Sequence, residues 1–558
     1  MNYLITNAKV WTGDKNNPYA DTVAICGDKI EYAGAYENVP DELKKYETVD
    51  VAGKMLIPAF MDSHTHVEAI ARTMWYLYIE MRDWASIDEF LNVVKEYAEE
   101  HSKEEVPYIY AYSCPTDFLD QEGIDKDYLD KFVSDRPVFV CDANYHRGLA
   151  NTMMLELMEI DETVPYDEST SCNYERYEGT NIPNGIVEER AFEFHHDIDK
   201  MFDKLGWWPP EEGNPDIIYP VLDIFTGQGI TALCDGWTET EDALKSYKEL
   251  EKQGRLNHYF FAQPLASTPD ALEEALATAK EWKAKYEDEY IKVNNIKYFL
   301  DGTNELGTGA VIEPFINEPD NYGIMNASED ELTHVFERIN QEGFGIQIHL
   351  VGDRSFRTAL NAAERAKKNE KENGREYTSK IHLLHCELTH PDDRKRPAEL
   401  GVYINFTPIW ANGLFGDASK KYIGEERFNS MYAFNEMIES GANVNYSADM
   451  VDEEGLGISS PLLGIQTGAT RMAFDGTGEP RANVKECIPV EELLKGYTIN
   501  NAEVLGIEDI TGSITAGKKA NLLLLDRDIL NIDPMKIAET NIEMVMFEGK
   551  VIKGGLNG

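Results

Sequence analysis

From residue 230 onward the chain keeps a regular beat in which a short apolar run is followed by a helical pattern, and few folds can accept that rhythm. The runs fall at 230–234, 258–262, 295–300, 345–350, 381–385, 402–406 and 443–447, and an earlier one, 56–60, makes eight. Helix starts are written between them. Thr268 precedes Pro269, and Ser328 with Glu331 has the spacing of a capping box. Strands alternating with helices form a parallel sheet, and eight such units predict an α/β chain folded as a (β/α)8 TIM barrel. Chemistry in a barrel of this type sits at the C-terminal ends of its strands.

At 558 residues the chain is too long for the barrel alone. Its first 55 residues hold short alternating runs punctuated by Gly, Asp and Asn, and residues 508–558 repeat that texture, with Asn521-Leu522-Leu523-Leu524-Leu525-Asp526 the strongest strand. One small β-sandwich assembled from both termini (1–55 with 508–558) fits this, as do two separate small domains. The barrel then takes 56–507. Within it, residues 67–220 lose the strand–helix beat, and include the aromatic stretch Gly206-Trp207-Trp208-Pro209-Pro210. They read as an insertion after the first strand, either a lid over the site or a substructure that only stabilises.

The strand ends carry the polar residues that matter. The first run leads into His64-Thr65-His66; the fourth contains Lys297; the fifth ends at His349, the sixth at His385, and the eighth run is followed by Asp449. Residues two apart on a strand point the same way, so His64 and His66 can face one cation. Singly, each has a plainer explanation: a buried histidine is most often just satisfied by hydrogen bonds, Lys297 can snorkel, and Asp449 can cap a loop. Coincidence at the same end of strands one, four, five, six and eight is harder to explain away. A lysine inside an apolar strand is costly as a cation, and in its neutral form it can add carbon dioxide to become a carbamate.

Composition limits the partners. A net charge of −49 repels phosphate backbones and anionic membranes, so neither nucleic acid nor a membrane is expected. The opening residues lack a basic stretch followed by a long apolar core, and no run reaches membrane-spanning length, which predicts a cytoplasmic location. Seven cysteines are scattered, odd in number and without Cys-x-x-Cys spacing, as expected for reduced thiols.

With those residues in place, the chain resembles the amidohydrolase superfamily, and within it the YtcJ-like branch that includes N-substituted formamide deformylases. The likeness rests on residues 57–66 (IPAFMDSHTH), 144–151 (NYHRGLAN), 348–354 (IHLVGDR), Ser447-Ala448-Asp449 followed by Ser460-Pro461-Leu462 and Thr470-Arg471, and 512–521 (GSITAGKKAN), and so spans nearly the whole chain. The resemblance implies a hydrolase that uses Zn2+, or another divalent metal, held by His64, His66, Lys297, His349, His385 and Asp449. It implies two ions bridged by carboxylated Lys297, with Asp449 also moving the proton. It further suggests His146, Arg354, Phe406 and Trp410 as contacts to a small-molecule substrate, and a homodimer. Two features depart from the branch. His382-Leu383-Leu384 stands where Arg-Ile-Glu is usual, and 301–305 (DGTNE) replaces a Ser-rich loop.

Three functions compete at this stage. The first is cleavage of a C–N bond in an amide, formamide or cyclic amide. The second is deamination of a heterocycle, against which Lys297 speaks because deaminases of the superfamily usually hold one metal and lack the bridging lysine. The third is a catalytically silent metal-binding or regulatory protein. Cys386 beside His385 raises the thought of a thiol nucleophile, but adjacent strand residues face opposite sides.

Overall fold

The computed structural model describes all residues except 1, 74–76, 80–83, 144–145, 167–170, 190–203, 205–214, 413–418, 452–456, 474–479, 482 and 557–558. The tryptophan pair at 207–208 lies outside the described residues.

Eight parallel strands position the site: β1 (Phe60–Thr65), β2 (Ile230–Asp235), β3 (Tyr259–Ala262), β4 (Asn295–Phe299), β5 (Gly345–Leu350), β6 (Ile381–His385), β7 (Tyr403–Phe406) and β8 (Val444–Tyr446). β1, β2 and β3 pair in parallel, and β3 continues to Ile291–Val293; β4 to β8 form a second parallel ladder that begins at Leu265–Ala266. The third and fourth strands thus each contribute to both ladders, either side of short breaks. At the other end, Asp449 N–H donates to His64 C=O at 3.0 Å and His66 N–H to Met450 C=O at 2.9 Å, which fastens the chain beyond β8 to the end of β1.

The helices follow the sequence signals. Glu329–Glu342 starts at the capping box formed by Ser328 and Glu331, buries Leu332, Val335, Phe336 and Ile339 at the 3–4 spacing of one face, and stops at Gly343 with φ 74°. The expected start near Thr268 is a 3₁₀ turn, Pro269–Ala271, that runs into the helix Leu272–Tyr286.

The apolar run 56–60 is divided at Ala59. Met55–Pro58 belongs to a six-stranded sheet together with Leu522–Leu525, Ile542–Phe547 and Lys550–Gly554 from the other end of the chain. A four-stranded sheet (residues 2–6, 22–26, 29–34 and 47–50) packs against it through Ile5, Val23, Ile25, Leu56, Leu522 and Leu524. Leu523 and Leu525 point the other way, into the core of the eight-stranded body. A strand buried on both faces has no polar side to alternate with, which is why it reads as four consecutive leucines.

Residues 67–220 carry a structure of their own, a six-stranded mixed sheet that includes Ile109–Cys114, Val138–Asp142, Arg147–Ala150 and Pro183–Glu188. One face packs Ile109, Val138 and Leu149 on the helix Ile87–Glu100; the other packs Tyr110, Phe139 and Val187 on Met154 and Leu155. Among the described residues no helix is long and apolar enough to cross a membrane, and the seven cysteines form no disulfide.

Candidate metal centre

His64, His66 and Asp449 meet at the ends of β1 and β8, with one potential ligand atom from each lying within 4.8 Å of the others. Asp449 Oδ1 is 3.2 Å from His64 Nε2 and 3.3 Å from His66 Nε2, and its Oδ2 is 3.4 Å from His385 Nδ1. Lys297 Nζ lies 3.4 Å from His64 Nε2. The His349 ring centroid is 4.7 Å from that of His385, and its Nε2–H donates to Gly302 C=O at 3.0 Å, so its other nitrogen, Nδ1, keeps a free lone pair. All six residues expected from the sequence therefore gather in one place.

Two local distortions aim these side chains, and neither is visible in residue spacing. Between β1 and β2 the register advances from Asp62 to Thr65 against Leu233 to Asp235, three residues against two, which is a bulge. Ser63 already faces the interior, where it donates to Asn445 at 3.0 Å, and the bulge lets His64 face inward as well. On β6, His382 reaches inward to Asn445 while Ile381 and Leu383 pack outward in the core. Strict alternation would then send His385 outward. Left-handed backbone at His385 (φ 66°) and Cys386 (φ 43°) redirects it, and Asp449 has φ 50°. Such conformations in non-glycine residues cost of order 1–3 kcal/mol and concentrate at functional sites.

Burial sets the protonation states. It pulls the ammonium of Lys297 down to about 7, against the attraction of Asp449. It lowers His64 to about 3, reinforced by Lys297, and carries His349 and His385 well below the usual imidazole range. For Asp449 burial pushes upward, but the surrounding imidazoles, led by His64 and His385, hold it well below the ordinary carboxylate value. Neutral imidazoles around an anionic carboxylate are the protonation states a divalent cation requires. Both ring nitrogens of His385 are buried without a hydrogen-bonded partner, a costly arrangement that a bound cation would relieve. The donor set thus fits a metal.

A family model described as "Amidohydrolase family" matches residues 47–553. The chain belongs to the amidohydrolase family. It is similar to YtcJ of Bacillus subtilis (strain 168), with 23% identity covering 97% of this chain and 98% of that one. It is also similar to the N-substituted formamide deformylase of Arthrobacter pascens, with 24% identity covering 98% and 97%. Among solved structures it is similar in fold to an uncharacterized metal-dependent hydrolase from Pyrococcus horikoshii OT3, at a TM-score of 0.69 and 21% identity, covering 96% of this chain and 99% of that one. As an amidohydrolase it carries a metal-dependent hydrolase fold.

Around the cluster this amidohydrolase places aromatic walls. Trp410 stacks on His385 with ring centroids 5.4 Å apart, Trp237 stands edge-on to His66 at 5.5 Å, and Phe299 lies 5.0 Å from His349. The His146 ring is 5.9 Å from that of His349, and its Nδ1 is 2.5 Å from Glu189 Oε2. Burial disfavours its charge, yet Glu189 outweighs that and lifts it to about 9.

Two expected substrate contacts are placed elsewhere. Phe406 is fully buried with its ring 4.3 Å from that of Phe434, because its neighbour Asn405 takes the inward position and bonds Asn445 and Ser447. Arg354 donates to the carbonyls of Tyr322 and Gly323 and so clasps the loop after β4. In that loop Asp301 accepts from the backbone N–H groups of Ala310, Val351 and Gly352, each at 3.0 Å, a scaffolding role that explains the 301–305 departure better than substrate contact does. His382, the other departure, joins Ser63, Asn405 and Asn445 in a polar layer beneath the cluster. Sequence reasoning missed Asp62, Glu189, Trp237 and Phe299. Asp62, Trp237 and Phe299 had a signal, each lying two residues from an expected ligand or a strand end, and Glu189 had none.

Proposed function

We propose that this amidohydrolase cleaves a C–N bond of a small molecule, in an amide, formamide or cyclic amide, at the centre formed by His64, His66, Lys297, His349, His385 and Asp449. The observation that carries the reading is the convergence of His64, His66 and Asp449 within 4.8 Å at strand ends, with Lys297 3.4 Å from His64. The eight parallel strands are read as one closed (β/α)8 barrel, with the bonds from Asp449 and His66 across β8 and β1 as its seam. The two terminal sheets are read as one composite sandwich domain, and the chain as acting in the cytoplasm.

His64, His66 and Asp449 would hold one divalent cation and His349 and His385 a second, zinc being the best match to the nitrogen-rich donors. Lys297, near neutrality in its buried position, is suited to add carbon dioxide, releasing one proton and presenting a carbamate between the two sets of ligands. Bound there, the metal would supply Lewis acidity and bring the pKa of a water toward about 7. Asp449 accepts the proton that the attacking water gives up and delivers it to the leaving nitrogen, so that the C–N bond breaks to a carboxylic acid and an amine. His146 holds the acyl oxygen, and Trp410, Trp237 and Phe299 exclude water from the reacting groups.

The test is hydrolysis by the metal-loaded protein of a panel of N-substituted formamides, hydantoin-like rings and N-acyl amines, followed by amine release. Turnover that is lost in Asp449→Asn with metal retained supports the reading. Release of ammonia from heterocycles with no amide hydrolysis would replace it with deamination.

A further inference from the structure

We propose that Glu189 is a positioning residue for this reaction: it fixes the ring of His146 through Nδ1, leaving Nε2 as the nitrogen offered to the substrate oxygen, and seats the insertion on the metal centre. The proposal rests on the amide-hydrolysis reading for its substrate, but its geometry stands on its own.

Glu189 follows the insertion strand Pro183–Glu188 and is buried. Its two carboxylate oxygens serve two different parts of the molecule. Oε1 accepts from Thr308 Oγ1 at 3.0 Å, in the loop after β4, and Oε2 meets His146 Nδ1 at 2.5 Å. An oxygen pair that accepts from a hydroxyl on one side is best completed by an N–H on the other, so Nδ1 carries the hydrogen. The main chain holds the same pair together, since Glu189 N–H donates to His146 C=O at 2.6 Å while Glu189 itself adopts φ 50°. A non-glycine residue in left-handed backbone, pinned at both its amide and its carboxylate, is held by its surroundings at an energetic cost.

The contact also reaches the ligands. A methyl group on Gly302 would come within 2.5 Å of Glu189 Oε1, so glycine at 302 is what lets the carboxylate approach, and the Gly302 carbonyl is the acceptor that orients His349. One side chain therefore spans the ring that faces the substrate and the loop that orients a ligand.

The experiment compares Glu189→Gln, His146→Ala and the double variant as metal-loaded full-length proteins. Glu189→Gln keeps the volume, and by turning its amide it can still meet both Thr308 and Nδ1–H, but it lacks the negative oxygen that makes the Glu189–His146 bond charge-assisted. The expected result is unchanged bound metal, a fall of about 10- to 100-fold carried by kcat more than KM, and a double variant no slower than His146→Ala alone. Histidine ring 15N spectra near pH 7 provide a readout that needs no turnover: wild type shows His146 protonated at both Nδ1, toward Glu189, and Nε2, toward the substrate, and Glu189→Gln leaves the ring with a single proton. An unchanged His146 protonation state, or activity losses that multiply in the double variant, overturns the proposal. If no amide is hydrolysed at all, the function reading fails and the 15N spectra still decide the role of Glu189.

Discussion

A methyl group placed on Gly236 would stand 2.1 Å from Cε1 of His66. Gly236, just beyond β2, is the floor on which this imidazole rests, and its own N–H donates to Thr65 C=O. Gly236→Ala must displace the ring, because nothing in the glycine's backbone conformation opposes an alanine there. Metal affinity is expected to fall about 10- to 100-fold, with little change in thermal stability of the metal-free protein. Titration with a competing chelator, alongside melting of the apoprotein, checks both.

Asp62 holds the two halves of the centre in register. Its carboxylate accepts from His64 N–H at 3.0 Å and from Ala448 N–H at 2.9 Å, next to a ligand on each side. Asp62→Asn removes one acceptor and leaves a buried N–H unpaired, a loss of about 1–3 kcal/mol. Urea unfolding of the metal-free variant measures it, and a loss of metal affinity should accompany it.

Acid stability should reflect His258, which burial keeps neutral down to about 4. The unfolded chain binds the proton near the ordinary value of 6.5, so it gains protons first as pH falls. Stability from this group is complete above about pH 6.5 and declines toward pH 4, by about 2 kcal/mol at pH 5. Urea midpoints between pH 7 and 5 should therefore fall less steeply in His258→Gln than in wild type.

The charge of −49 predicts a salt response opposite in sign to that of a protein held by surface ion pairs. Self-repulsion among unpaired carboxylates exceeds what exposed pairs such as Lys245 with Asp242 contribute, and both are screened within a Debye length of about 10 Å at 0.1 M. Melting temperature should rise by several degrees from low salt to 1 M sodium chloride.

The sequence carried the architecture and the ligands further than it carried their orientation. Strand ends could be read because apolar runs and turn residues mark them, and His349 and Lys297 follow simple alternation. His64 and His385 do not: one needs a bulge and the other a left-handed turn, and neither leaves a trace in residue type. Phe406 was misplaced because its neighbour Asn405 claims the interior, and a choice between adjacent residues depends on which polar partners wait inside. Glu189 was invisible since its partners lie in distant parts of the chain. The division at Ala59 was equally hidden, as one unbroken apolar run serves two sheets.

The most direct test of the centre is the metal content of the purified full-length protein, by elemental analysis, beside that of variants in which His64, His349 or Asp449 is replaced by alanine. About two divalent cations per chain in wild type, reduced in each variant, is the expected result. Wild-type protein that retains no divalent metal after reconstitution with zinc, manganese or cobalt would contradict it.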